Sequence, residues 1–242
     1  LLCDTHPRAS IPDCSAEPGF RTVSTNPCGE IPLCPYDSCR LLSVNLYSYV
    51  ENPFTSSASF NYDKLKQHVR AAQRIMDDIV DLELEKIDAI MEKVKADPQT
   101  DEVKHAEYHL WEKIKNKSSL GRRTGVGITA EGDMIAAMGL RYGTQEATDF
   151  SVSVHRTLAL SAYGSSVEMA RERGAFAIYD AEREKNNPFI QRIKEADHQL
   201  YNDMVHYGRR NVACLTIAPT GTTSLMTQAT SGIDPVFMPV YQ

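Results

Sequence analysis

The sequence has little of what several common protein classes require. Only six of its 242 residues are cysteine, which is too few for a disulfide scaffold and favours reduced, cytoplasmic thiols. No long apolar run is present, so no membrane-spanning helix is predicted. Lys and Arg (26) are outnumbered by Asp and Glu (32), for a formal net charge of −6, which argues against a broad nucleic-acid-binding surface. A hydrophobic content of 42% supports a sizeable globular core.

Metal-binding patterns are also incomplete. The acidic segment 61–97 lacks the Glu-x-x-His pairs of a di-iron bundle. His105 and His109 stand one helical turn apart, a spacing that metal ligands use. The intervening Ala-Glu-Tyr puts the glutamate in the wrong place for the zinc-protease motif, however, so a polar helix surface is the favoured interpretation. The sequence therefore predicts no metal site formed by side chains.

What the sequence does have is a dense stretch from Asn26 to Cys39, with three cysteines and three prolines. The prolines exclude a helix and stiffen the backbone. Alternate residues of an extended chain point the same way, so Asn26, Cys28 and Glu30 are expected to converge on one ligand. They offer a hydrogen-bonding amide, a reactive sulfur and a general base. The pattern by itself leaves a second interpretation open, because cysteine is often a small buried hydrophobe.

A second candidate site follows the apolar segment 212–217. There the chain reads Pro219-Thr220-Gly221-Thr222-Thr223-Ser224 and turns into a helix. Free backbone amides at such a helix start, together with the hydroxyls, can bind a phosphate. An ordinary hydroxyl-capped helix start is the alternative that the local pattern leaves open.

The remaining periodicity predicts alternating strands and helices. Helices are expected over 61–97, 101–116, 131–138, 145–173 and 198–207, with a short one opened by Asn187, and strands over 41–47, 121–129 and 212–217. The first helix carries an apolar stripe that includes Ile75, Ile79 and Leu82. Residues 1–22 read as a loop or linker. The order indicates an α/β fold with parallel strands covered by helices.

Three motifs resemble one family. STNPCGEIPLCPYDSCRLLSVNL is similar to the finger loop and following strand of ribonucleotide reductase large subunits, and LTIAPTGTTSLMTQATSGIDPVF to their phosphate-binding turn. The Arg-x-x-Gly-x-Gly of residues 122–127 resembles a strand of their barrel. The resemblance implies that residues 23–242 are part of a ten-stranded α/β barrel with a central finger loop (24–39) and a phosphate turn (218–224). It also implies an internal fragment of a larger catalytic subunit, which is expected to be inactive alone.

The resemblance assigns roles to individual residues. In the family the finger cysteine becomes a thiyl radical that abstracts the 3′-hydrogen of the ribose, and Cys28 matches it. Glu30 matches the base for the 3′-hydroxyl, and Asn26 matches the amide that orients the substrate. Cys39 matches one member of the redox pair, with Cys34 as a rival. Substrate contacts are implied for the two sides of the site: Ser24, Thr25, Pro219, Thr220, Gly221, Thr222, Thr223 and Ser224.

The same motifs distinguish classes within the family. NPCGE and APTGTTS resemble the adenosylcobalamin-dependent class, and Glu30 argues against the glycyl-radical class. A di-iron-dependent large subunit and a non-catalytic nucleotide-binding remnant are the alternatives. The implied partners are a ribonucleotide, as di- or triphosphate, a thioredoxin-like or glutaredoxin-like reductant, and a second subunit in a homodimer. Nucleic acid and membrane partners are not expected, and the expected location is the cytoplasm.

Overall fold

The computed structural model describes residues 10–38 and 40–238. Cys39, proposed above as a redox cysteine, therefore lies outside the described residues, as does the first part of the predicted linker. Its described part, from residue 10 onward, contains two short helical turns, Pro12–Ser15 and Ala16–Phe20.

Short strands alternate with long helices along the described chain. The strands are β1 (Ser24–Thr25), β2 (Pro32–Leu33), β3 (Leu41–Asn45), β4 (Val50–Glu51), β5 (Ser59–Phe60) and β6 (Gly125–Thr129). The helices are α1 (Tyr62–Ala96), α2 (Asp101–Gly121), α3 (Glu131–Ala137), α4 (Gln145–Arg173), α5 (Ala181–Glu184), α6 (Pro188–Ala196), α7 (His198–Tyr207) and α8 (Gly221–Thr227). The predicted helices are confirmed. The predicted strand at 41–47 is shorter than expected, because a helical turn begins at Leu46. The strand predicted at 121–129 begins only at Gly125, because α2 extends to Gly121. Among the described residues, the segment predicted as a strand at 212–217 forms only a single bridge, at Leu215.

Three neighbouring parallel segments form the centre of the fold. β3 pairs with β6 in parallel, from Leu41 opposite Gly125 to Asn45 opposite Thr129. On the other side of β6, a parallel bridge joins Val126 to Leu215, and Thr216 N donates to Val126 O at 3.2 Å. A Cβ on Gly127 would lie 2.1 Å from Thr216 O, so this glycine is what allows the 212–217 segment to approach β6.

Most of the helices that connect these segments begin and end at the residues expected from the sequence, but α2 continues to Gly121, five residues beyond its predicted end. Asn61 caps α1 by accepting a hydrogen bond from Lys64 N, and Thr144 caps α4 by accepting one from Ala147 N. α4 ends at Gly174, whose φ of +86° suits glycine. α1 packs on α4 and α2. The crossover helices therefore cover the parallel strands, as the α/β prediction requires.

The predicted apolar stripe of α1 is wrong in its middle part. Ile75 and Leu82 are 53% and 62% exposed. The buried face there instead includes Met76, Val80 and the polar Asp77. The helix turns this polar face inward because buried basic and amide groups of neighbouring segments lie against it.

Asp77 is the centre of that buried polar contact. Its side chain is fully buried and accepts hydrogen bonds from Arg122 Nε (2.9 Å), Asn211 Nδ2 (2.9 Å) and Arg210 Nε (3.2 Å). Acidic residues on a helix usually form a solvated face. For Asp77 the structure shows a buried, paired carboxylate that joins α1 to the residues preceding β6 and the 212–217 segment. Burying this carboxylate costs little because its oxygens are paired.

None of the helices in the described ranges, 10–38 and 40–238, is both long and apolar enough to cross a membrane.

Candidate functional site

The stretch beginning at Ser24 forms a narrow hairpin. β1 pairs with β2 in antiparallel register, Ser24 opposite Leu33 and Thr25 opposite Pro32. Between the strands the chain turns: Gly29 N donates to Asn26 O (3.0 Å), and Ile31 N donates to Asn26 Oδ1 (3.0 Å). The Asn26 side chain thus stabilises the turn that presents Cys28.

The extended backbone assumed by the alternation argument ends at Thr25. Gly29 has φ +82°, which places the tip in a turn. Cys28 is exposed at this tip, whereas Glu30 turns toward the protein and its Oε2 is buried with no hydrogen-bond partner among the described residues. Cys28 and Glu30 therefore lie on one tight turn, and not on one face of a strand.

Glu30 lines a cavity of about 180 Å³ under the finger. Its walls come from α4, α6, the residues preceding β6 and the 212–217 segment, and include Tyr163, Phe189, Arg192, Arg123 and Leu215. A buried carboxylate oxygen with no hydrogen-bond partner among the described residues, in a partly enclosed cavity that two arginines also line, indicates a site that can receive a polar group. A ligand hydroxyl that donates to Glu30 would satisfy this oxygen.

Cys34, the rival for the redox role, is a buried core residue. It is 4% exposed and packs in a cluster with Phe20, Phe176 and Val212. Burial and the neighbouring Asp37 carboxylate raise the pKa of the Cys34 thiol to about 12. A thiol with so high a pKa is a poor nucleophile at neutral pH, so the environment of Cys34 does not suit thiol–disulfide exchange.

The cysteine environments predict a clear order of alkylation. At pH 8, exposed Cys28 should react with iodoacetamide promptly. Buried Cys34, with about one thiol in ten thousand ionised at that pH, should react only when the chain opens. Folding raises the pKa of the Cys34 thiol. The contribution of this thiol to the free energy of unfolding is therefore complete below about pH 9 and is lost as the pH rises toward 12. Mass spectrometry of labelled peptides checks this, and equal rates at the two positions would contradict it.

The descending limb of the finger is held by a contact that the sequence analysis missed. Arg123 Nε donates to Asp37 Oδ2 at 2.7 Å, with the two side chains 5% and 2% exposed. The Arg123 backbone carbonyl accepts a hydrogen bond from Arg40 Nη1 at 2.7 Å. The only available signal was an arginine beside the Gly-x-Gly of β6, which does not reveal its distant partner.

The predicted phosphate turn lies after the 212–217 segment, at the carboxyl end of the parallel strands. Pro219, Gly221, Thr222 and Thr223 are exposed, and α8 begins at Gly221 with no side-chain cap. Ser224 is buried and its hydroxyl donates to Gly221 O (2.8 Å). Ligands commonly bind at this edge of parallel sheets.

Thr220 faces inward and holds the turn in place. Its hydroxyl lies 2.8 Å from that of Thr129, at the end of β6, and accepts a hydrogen bond from Gly232 N at 3.0 Å. Thr129 Oγ1 also lies 3.0 Å from Thr230 O, to which it donates. Since the Thr129 proton goes to that carbonyl, Thr220 donates to Thr129. The Thr220 hydroxyl is thus used within the protein.

The finger and the turn are related through the 212–217 segment. Leu215 lines the Glu30 cavity, and the turn begins at Ala218, three residues further on and thus about 10 Å away along an extended chain. Ser24 and Thr25 lie in β1 at the base of the tip, with Ser24 exposed. The Glu30 cavity and the turn therefore lie along the same segment of the chain.

Fold and sequence together define the class. The chain matches the family described as "Ribonucleotide reductase, barrel domain" over residues 16–242, and it belongs to that family. A solved structure of a class Id ribonucleotide reductase alpha subunit from Actinobacillus ureae has the same fold: TM-score 0.61, 17% sequence identity, 95% of this chain and 35% of that chain. The predicted fold is confirmed: the three parallel segments are part of the family's α/β barrel.

Two relatives carry names that specify a class within the family. The chain is 28% identical over 218 residues to a "Vitamin B12-dependent ribonucleoside-diphosphate reductase" of Mycobacterium tuberculosis, covering 90% of this chain and 24% of the relative. It is 31% identical over 215 residues to a protein of the same name from Thermoplasma acidophilum, covering 88% of this chain and 22% of the relative. The chain thus spans about a quarter of the length of these relatives.

Proposed function

We propose that this chain is part of the catalytic subunit of an adenosylcobalamin-dependent ribonucleotide reductase, which converts ribonucleotides to 2′-deoxyribonucleotides for DNA synthesis. The observation that carries the proposal is the finger turn, with a thiol exposed at the tip and, two residues later, a buried carboxylate oxygen that has no hydrogen-bond partner in the described part of the chain. Binding alone requires no exposed thiol there. The names of the two relatives support the cobalamin-dependent class over the di-iron alternative.

In this proposal the three finger residues Asn26, Cys28 and Glu30 act on the same ribose. The Cys28 thiyl abstracts the 3′-hydrogen, and Glu30 accepts the 3′-hydroxyl proton on the oxygen that faces the cavity. Asn26 holds the turn through its Oδ1 and orients the substrate. The exposed amides and hydroxyls of Gly221, Thr222 and Thr223 bind the phosphates.

The cofactor proposal fits the exposure of Cys28. A thiol that gives up a hydrogen atom to a bulky cofactor must be reachable, and Cys28 lies exposed at the apex of the turn. Adenosylcobalamin, when bound, supplies the radical that oxidises this thiol. The chain's own residues position the thiol and the substrate.

The reducing electrons are proposed to come from Cys39 and a second cysteine, regenerated by a thioredoxin-like or glutaredoxin-like protein. The high pKa of Cys34 supports the choice of Cys39 over Cys34. We also propose a homodimer and a cytoplasmic location. The latter is consistent with free thiols at Cys14, Cys28, Cys34 and Cys214.

An assay of the full-length protein tests the proposal. Deoxynucleotide formation is measured from ribonucleoside di- and triphosphates with a dithiol reductant, with and without adenosylcobalamin. We expect turnover that requires the cobalamin. Activity that appears only with a di-iron radical subunit would contradict the proposed cofactor but not the proposed site residues. Nucleotide binding with no turnover in either case would favour a non-catalytic remnant.

A further inference from the structure

We propose that Arg123 and Asp37 are positioning residues that set where the finger tip stands relative to the barrel strands. The activity part of this inference rests on the proposed function. The geometric part, that the ion pair fixes the position of Cys28, is independent of it. Neither residue is placed at the reacting atoms.

The hairpin cannot hold its own position. β1 and β2 share only two residue pairs, and an isolated two-stranded ribbon is marginally stable at best. The tip is a turn with exposed Pro27, Cys28 and Gly29. The position of Cys28 must therefore be set by contacts on either side of the apex, which include buried Asn26 and Ile31 next to it and the limbs further down.

The strongest such contact is the buried ion pair on the descending limb. Asp37 Oδ2 accepts from Arg123 Nε, and Asp37 Oδ1 accepts from Ser38 N at 2.9 Å. The Cys34 thiol lies 3.5 Å from Asp37 Oδ2. The ion pair and the buried Cys34 thus hold the same four-residue segment.

Arg123 is well placed to transmit the rigidity of the barrel. It stands two residues before β6, and its carbonyl accepts the hydrogen bond from Arg40, which directly precedes β3. One residue therefore joins the finger to both paired strands. Arg123 also lines the cavity that Glu30 faces, so its displacement would disturb the tip as well as the limb.

The ascending limb has a weaker attachment. Asp13 Oδ1 accepts from Thr22 N at 2.7 Å, and its second oxygen accepts from the Thr22 hydroxyl. This contact involves a short helical turn at the start of the described chain and does not reach the parallel strands. The Asp37–Arg123 pair therefore decides the height and tilt of the tip. A displacement of about 1 Å at a reacting group can cost about a hundredfold in rate.

The test uses Asp37→Asn and the double variant Asp37→Asn/Arg123→Gln in the full-length protein. Asn keeps the size of Asp but leaves the buried Arg123 charge without its partner, whereas the double variant removes both charges. The measurements are kcat, KM, thermal stability and the alkylation rate of Cys28. Glu172→Gln, which breaks the exposed pair with Arg74, is the control and should match the parent.

We expect both variants to lose at least tenfold in kcat with KM within about twofold, and the Cys28 alkylation rate to change at least threefold. The double variant should recover stability but not kcat. Recovery of kcat together with stability would show a purely structural role and overturn the inference, as would an unchanged Cys28 alkylation rate. If Asp37→Asn does not fold, the double variant decides by the same criteria.

Failure of the proposed function gives a different result. The parent protein would then form no deoxynucleotide, and the alkylation rate of Cys28 in the variants would decide the positioning role alone. An altered rate would support it, and an unaltered rate would overturn it.

Discussion

Replacing Cys28 by Ser in the full-length protein is expected to abolish deoxynucleotide formation, with kcat reduced by roughly a thousandfold or more. The hydroxyl is similar in size to the thiol, but its O–H bond is too strong to be oxidised by the radical that oxidises a thiol. Nucleotide binding should be nearly unchanged, because Cys28 is exposed on a turn whose hydrogen bonds come from Asn26. Product formation and equilibrium nucleotide binding are the two measurements.

Cys14→Ser is the matched control, because Cys14 is another free thiol of the described chain and its sulfur contacts the Asn187 side chain and has no proposed role in the chemistry. It should retain the parent's turnover. Substantial turnover by the Cys28→Ser protein would contradict the thiyl assignment. Loss of nucleotide binding together with turnover would instead indicate that the turn had been disrupted.

The second large effect is expected for Glu184→Gln. Glu184 forms a bidentate ion pair with Arg209, and the two side chains are 4% and 0% exposed. Arg209 also donates to Val212 O and is surrounded by the rings of Tyr163, Phe176 and Tyr179. Removing one charge leaves the other buried and unpaired, which costs about 3–5 kcal/mol.

Hydrogen exchange measured by mass spectrometry suits this prediction, because it reports local stability in a large protein. A loss of about 3 kcal/mol raises exchange more than a hundredfold in peptides covering α5, α7 and the 212–217 segment. Glu172→Gln, on the exposed pair with Arg74, should change exchange little, since such pairs contribute about 0–1 kcal/mol. Similar effects of the two substitutions would show that burial does not govern the Arg209 pair.

Local signals predicted the helices and the class of fold well. Capping residues such as Asn61 and Thr144, and Gly174 at the end of α4, act on their own backbone, so their effect can be read from neighbouring residues. The motif match also indicated that the Gly-x-Gly in β6 belongs to a strand of the barrel. That Gly127 faces the backbone of Thr216 was not predictable, because their contact joins segments about ninety residues apart.

The finger shows the limit of local reasoning about a site. The residue types and prolines correctly predicted that 26–38 is not helical, and the motif match identified the family. Period-two alternation did not describe the tip, because the hydrogen bonds from Gly29 and Ile31 to Asn26 close a turn there. The assignments of Asn26, Cys28, Glu30 and the 219–224 turn stay predictions that the experiments above test.

The sequence by itself determined the order of helices and strands, most of the helix ends, the motifs and the family, because each depends on residues close together in the chain or on the order of residue types within a motif. Only the tertiary structure decided which polar residues are buried and paired. Asp77, Asp37 and Glu184 carry no local mark that distinguishes them from solvated acids. Their partners Arg122, Arg123 and Arg209 lie 25 to 86 residues away. Burial and charge pairing are properties of the folded chain, and here they determine how the finger is held.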